Sequence, residues 1–126
     1  MTGTFDVIHR GHIEILKFAK SLGDYLIVAI DKDSRVSQLK GNDRPYHKEQ
    51  DRIFVLSSIR YVDEIVTFGS DEELISHLRK VNPDVLIAGS DWKGKPGVGR
   101  EYAKEVVFFD RIEPHSTTNI LNWNNK

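Results

Sequence analysis

No cysteine occurs among the 126 residues, which excludes a disulfide framework and thiolate chemistry alike. An excess of one charge is also missing: 18 Lys and Arg face 19 Asp and Glu, for a net charge of −1. No global basic field therefore argues for nucleic acid or a membrane surface as partner. No stretch nears the roughly 20 apolar residues that span a bilayer. The start is polar and lacks the apolar run of a secretory signal. Repeats, linkers and low-complexity segments are absent too. With 39% hydrophobic and 29% charged residues, the composition is that of a soluble globular protein. The length fits one domain over residues 1–126. These absences leave a cytoplasmic enzyme or small-molecule-binding domain as the expectation.

What is present is an alternation of helical and strand patterns. Ile13, Leu16 and Ala19 recur at helical spacing, and Gly23 closes that helix. Residues 25–30, Tyr-Leu-Ile-Val-Ala-Ile, run apolar without alternation, the pattern of a strand buried on both faces in a parallel sheet. Asp31 and Asp33 follow at its carboxyl end, where ligands gather in such sheets. Residues 34–48 are polar, rich in turn residues, and read as a loop. Ile53, Leu56 and Ile59 place a helix over residues 49–61, and residues 63–68 read as a strand. Ser70 and Glu73 form a capping box ahead of Leu74, Ile75 and Leu78, and Asn82-Pro83 stops that helix. Residues 84–88 and 105–109 read as further buried strands, with a short helix at 101–104 between them. A final helix is capped by residues 116–118. The alternation predicts an α/β fold, a Rossmann-like doubly wound parallel sheet of about five strands. A central first strand of about five residues needs chain ahead of Met1, so upstream residues are expected.

Residues 3–12, Gly-Thr-Phe-Asp-Val-Ile-His-Arg-Gly-His, carry the chemistry. They fall where the first strand ends and the first helix begins, the junction at which open α/β sheets bind ligands. Gly3 has no Cβ and lets a bulky group approach the backbone. Thr4 and Asp6 put side-chain oxygens beside it. His9 and His12, three residues apart, share one face of a helical turn, and Gly11 leaves room between them. The helix that starts here turns free N–H groups and a positive dipole end toward an anion. Taken alone, the two histidines have duller explanations: a helix cap, a surface residue, or a metal pair. None of these accounts for Gly-Thr-Phe-Asp directly upstream.

Gly-Thr-Phe-Asp followed by His9-Arg-Gly-His12 resembles the signature of the cytidylyltransferase family of small nucleotidyltransferases. Members join a nucleoside monophosphate unit to a phosphorylated alcohol or sugar and release pyrophosphate. Arg111-Ile-Glu-Pro-His-Ser-Thr-Thr118 is similar to the family's second signature, Arg-Thr-x-Gly-Ile-Ser-Thr-Thr, with departures at Ile112, Pro114 and His115. Arg60-Tyr-Val-Asp-Glu64 and Asp91-Trp-Lys-Gly-Lys95 resemble segments of glycerol-3-phosphate cytidylyltransferases. Residues 39–45, Leu-Lys-Gly-Asn-Asp-Arg-Pro, and Val98-Gly-Arg-Glu101 resemble the adenylyltransferase domain of ADP-heptose synthases.

The resemblance implies a role for each matching residue. His9 and His12 donate hydrogen bonds to the α-phosphate, and with Lys40 and Arg111 they form the expected catalytic set. Gly3, Thr4, Phe5, Asp6, Gly11, Asp91, Trp92, Ser116, Thr117 and Thr118 are expected around the nucleotide. Arg44, Arg52 and Arg60 are expected on the acceptor's phosphate. Residues 40–47 are expected to act as a mobile flap. Mg²⁺ is expected on the triphosphate, mostly through phosphate oxygens and water; no protein ligand is assigned to it, Asp6 being the first candidate. His77 and His115 read as ordinary histidines, His47 less so. A homodimer is implied.

The acceptor's phosphate is a nucleophile near pH 7, since its second pKa is roughly 6, so no general base is needed. The favoured reaction is CMP transfer from CTP to a phosphorylated small alcohol, glycerol 3-phosphate, giving CDP-glycerol and pyrophosphate. The alternative is ATP-dependent adenylyl transfer to a sugar phosphate such as heptose 1-phosphate. A non-catalytic nucleotide-binding module is the alternative of another class.

Overall fold

A computed structural model describes residues 1–89 and 99–109. Strands β1 (Thr2–Gly3), β2 (Ile27–Asp31) and β3 (Glu64–Phe68) form a parallel sheet in the order β1-β2-β3. Strands β4 (Val85–Gly89) and β5 (Glu105–Phe109) form a second parallel pair. The helices are α1 (Arg10–Ser21), α2 (Asp33–Lys40), α3 (Glu49–Ser57) and α4 (Asp71–Val81). A 3₁₀ turn, Arg100–Tyr102, precedes β5. The expected parallel α/β architecture is present. Among the described residues no ladder joins the two sheets, because a β1 of two residues offers too little edge for a second partner. Ile87 of β4 nevertheless shares a core cluster with Phe5, Leu16, Val28 and Ile30, so both ladders close on the same core.

The apolar run of residues 25–30 does become a central strand. Val28 and Ile30 have no exposed surface, and β2 pairs with β1 on one side and β3 on the other. Tyr25 lies outside the strand, exposed, with its hydroxyl donating to Glu64. Helix α1 buries Leu16 and Ala19. Helix α4 buries Leu74 and Leu78, starts on Ser70, whose Oγ accepts from Glu73 N at 3.1 Å, and ends on Asn82 in the left-handed conformation. The Glu73 carboxylate reaches one residue further back than a capping box requires, accepting from Gly69 N at 2.6 Å.

Residues 33–40 form a helix where turn residues predicted a loop. Only Val36 of α2 is buried, so no apolar stripe announces it. Its support is polar and comes from far along the chain. Neither α2 nor α3 is capped by its own N-cap side chain. Instead Asp33 N donates to Glu49 Oε1 at 3.2 Å, and Glu49 N donates to Asp33 Oδ1 at 2.9 Å. Each helix thus supplies the carboxylate that satisfies the other's first free N–H. Strand β5 is half-buried rather than buried: Phe109 packs on Phe18 of α1 with ring centroids 5.0 Å apart.

Candidate active site

All of the motif's described residues leave β1 at the carboxyl edge of the sheet, beside the ends of β2 and β3. The chain turns sharply there. Phe5 and Val7 both have positive φ, 54° and 53°. A β-branched residue in that region is a genuine outlier and costs of order 1–3 kcal/mol, which surrounding structure must hold in place. Two buried ionic groups do the holding. Asp6 is 2% exposed, and its Oδ2 and Oδ1 accept from Tyr46 N at 2.6 Å and His47 N at 2.8 Å. Arg52 is 1% exposed, and donates to Thr4 O at 2.9 Å, His47 O at 3.1 Å and Asp33 Oδ1 at 2.9 Å. Residues 4–6 are thereby tied to residues 46–47.

The two histidines are built into the start of α1. His9 is the N-cap residue, and its Nδ1 accepts from Gly11 N at 3.0 Å. His12 Nδ1 accepts in turn from His9 N at 3.2 Å. The pair forms a capping box made of imidazoles, with ring centroids 4.0 Å apart. A ring nitrogen that accepts carries no proton, so each neutral ring must hold its proton on Nε2. The caps therefore set the tautomer and leave Nε2–H as the donor on both rings. Phe5, 5.4 Å away by ring centroids, backs the His12 ring.

Several expected residues converge here. Thr4 Oγ1 donates to Asp31 Oδ2 at 2.9 Å, and Lys40 at the end of α2 brings Nζ within 3.4 Å of Thr4 Oγ1. Arg44 lies over Asp6, with Nε 3.6 Å from Oδ2. Gly3 is needed for a different reason than expected. A Cβ there would stand 2.6 Å from Phe5 Cε2, so the group approaching the backbone is the protein's own ring. Phe5 itself is 4% exposed and belongs to the core cluster.

Other expected residues are placed elsewhere. Arg52, expected on acceptor phosphate, is a buried clamp with its donors turned to the protein. Arg60 precedes β3 and lies at the amino edge of the sheet, a five-residue strand away, roughly 16 Å. It stacks over Tyr61 and donates to that residue's hydroxyl. Asp6 accepts one backbone N–H on each carboxylate oxygen. Among the described residues no cluster of His, Cys, Asp or Glu is arranged to hold a metal. The expected flap at residues 40–47 begins inside a helix, and its far end is fastened to Asp6. His77 is structural, with Nε2 2.9 Å from Thr67 O. Asp91, Trp92, Arg111, Ser116, Thr117 and Thr118 lie outside the described residues.

Glu49 is the site's unanticipated support, and Asp33, placed by the sequence among the ligand-facing positions after β2, instead caps α3 and pairs with Arg52. No helix among the described residues is long and apolar enough to cross a membrane.

A family model described as cytidylyltransferase-like matches residues 1–120. The bifunctional protein HldE of a Nitratiruptor species is 46% identical over 121 residues, 94% of this chain and 26% of that protein. HldE of Campylobacter fetus subsp. fetus is 41% identical over 120 residues, 95% of this chain and again 26% of the relative. The chain therefore spans about a quarter of the length of these curated relatives. Among solved structures, the lipopolysaccharide core biosynthesis protein of Thermoplasma volcanium superposes with a TM-score of 0.63 at 28% identity, covering 91% of this chain and 94% of that one.

Proposed function

This chain belongs to the cytidylyltransferase-like family, and from that premise we propose that it transfers AMP from ATP to the phosphate of a sugar phosphate, heptose 1-phosphate, releasing pyrophosphate. The observation that carries the choice of substrates is the similarity to HldE proteins over nearly the whole chain. It agrees with the resemblance of residues 39–45 to the adenylyltransferase domain of ADP-heptose synthases, and it outweighs the segments that favoured CTP and glycerol 3-phosphate. The lipopolysaccharide core biosynthesis protein found by structure is a neighbour of fitting chemistry.

In the proposed reaction an oxygen of the sugar phosphate attacks the α-phosphorus of ATP. A new P–O bond forms as the bond from the α-phosphorus to the bridging oxygen breaks, and pyrophosphate departs with that electron pair. The protein's task is to bring two anions together and stabilise the charge that develops. His9 and His12, with Nε2–H fixed by their caps, donate to the α-phosphate. Lys40 adds a positive charge beside Thr4, and Arg44 a second at the rim. Ser116, Thr117 and Thr118 are assigned to the β- and γ-phosphates, and Asp91, Trp92 and Arg111 to the base, by resemblance. Mg²⁺ enters with the triphosphate as part of the substrate.

Incubation with ATP and heptose 1-phosphate, read by pyrophosphate release and by the mass of the nucleotide sugar, tests the reaction. Stoichiometric ADP-heptose and pyrophosphate are expected. Nucleotide binding with no pyrophosphate from any phosphorylated alcohol or sugar would instead make the chain a binding module. The implied homodimer is part of the same proposal, and light scattering at micromolar concentration should return twice the chain mass.

A further inference from the structure

Beside the motif lies a concavity of about 200 Å³ that the reaction chemistry does not use. Phe5, Val7 and Ile8 wall it from the motif, His47 from the segment before α3, and Asp51, Arg52 and Val55 from α3 itself. Its volume is below the ~300–1,000 Å³ of sites that take a whole drug-sized ligand, so it suits one part of a substrate. Phe5 separates it from His12 by a single ring. A group held there is a neighbour of the phosphate chemistry without being its centre.

The way His47 is held is the informative feature. Asp6 Oδ1 accepts from its N–H, and Arg52 Nε donates to its carbonyl. Both anchors are almost completely buried. Withdrawing two ionic groups from water costs several kcal/mol each before pairing, and the bonds that offset it converge on residues 4–6, Asp33 and residues 46–47, so the His47 backbone is fixed as part of that clamp. Yet the His47 side chain is itself exposed, steadied edge-on by Tyr46 with ring centroids 4.9 Å apart. A rigid backbone under an exposed imidazole at a pocket wall is the construction of a recognition group. Val7, held in the left-handed region, turns its side chain to the same pocket. The lining is mixed: Val7, Ile8 and Val55 are apolar, while His47 and Asp51 carry donors and acceptors. A sugar, with C–H faces and hydroxyl edges, matches such a lining.

We propose that His47 is a specificity-determining residue that hydrogen-bonds a hydroxyl of the acceptor sugar in this pocket, with Asp51 as its polar partner. The inference rests on the proposed sugar-phosphate acceptor. It separates binding of the sugar from binding of the nucleotide: the His9–His12 pair and Lys40 face phosphate, and His47 faces the sugar.

Steady-state kinetics and ATP binding of His47→Ala, His47→Gln and Val55→Trp test it. His47→Ala is expected to raise KM for heptose 1-phosphate about tenfold, the scale of one lost neutral hydrogen bond. Its Kd for ATP should stay within about twofold of wild type, and its melting temperature unchanged, because the ring is exposed. His47→Gln, which retains a donor and an acceptor, should recover part of the loss. Val55→Trp, which fills the pocket, should raise the same KM. An unchanged acceptor KM in active His47→Ala, or an equal weakening of ATP, would overturn the assignment of His47 and leave the proposed function standing. A wild-type chain that adenylylates no sugar phosphate would overturn the proposed function itself, and this inference with it.

Discussion

His12 accepts the backbone N–H of His9 through Nδ1 at 3.2 Å, while His9 caps Gly11 through its own Nδ1 at 3.0 Å. One arrangement thus starts α1 and fixes both imidazoles as Nε2 donors. Capping and chemistry are separable by substitution. Asn is a strong N-cap residue, so His9→Asn should keep stability near wild type while kcat falls roughly 10²–10⁴-fold, the range for losing a preorganised donor. His9→Ala should lose the same activity and about 1 kcal/mol of stability as well. Urea unfolding alongside pyrophosphate release reads both effects. An active His9→Asn would remove the ring from the chemistry.

Arg52 distinguishes a clamp from a phosphate contact. Its three acceptors come from three segments, and it is 1% exposed. Arg52→Ala should lower unfolding stability by about 3 kcal/mol or more, as expected for breaking a buried ionic cluster. Arg52→Lys should not restore it, because a single ammonium cannot serve three spread acceptors in place of the fork. A phosphate-binding arginine would instead change KM and leave the unfolding curve alone.

Acid should loosen the structure at two carboxylates, Asp63 and Glu73. Lys20 and, next, the Leu26 N–H hold Asp63 below its ordinary value of 3.8. The Gly69 N–H and then Lys32 hold Glu73 below its ordinary 4.5. A group whose folded pKa is depressed contributes stability above its unfolded pKa and loses it as pH falls through the folded value. The denaturation midpoint should therefore fall from about pH 5 toward pH 3, and fall less in the Asp63→Asn/Glu73→Gln double variant. Parallel pH profiles for the two proteins would show that these contacts do not contribute.

Much of this was legible in the sequence where a local signal exists. The uninterrupted apolar run ending at Ile30 and the Ser70 cap of α4 read directly, since a buried strand and a helix start each leave a local pattern. Helix α2 was not legible, because its stabilising partners are Glu49 and Arg52 and its own apolar face is Val36 alone. The His9–His12 motif was legible as the start of a helix at the end of the first strand, but the use of both Nδ1 atoms as caps needed coordinates. Arg52 and Arg60 looked alike as cations on one helical stretch. Burial separates them, one inside the clamp and one at the far edge of the sheet, and burial of a charge is set by tertiary partners that no local pattern contains.

Direct competition of ATP with CTP decides which donor and acceptor pair the protein uses. With heptose 1-phosphate as acceptor, kcat/KM for ATP should exceed that for CTP by at least about tenfold, roughly 1.4 kcal/mol of discrimination. With glycerol 3-phosphate, turnover should be slower with either nucleotide. Faster pyrophosphate release from CTP and glycerol 3-phosphate than from ATP and heptose 1-phosphate would contradict the account.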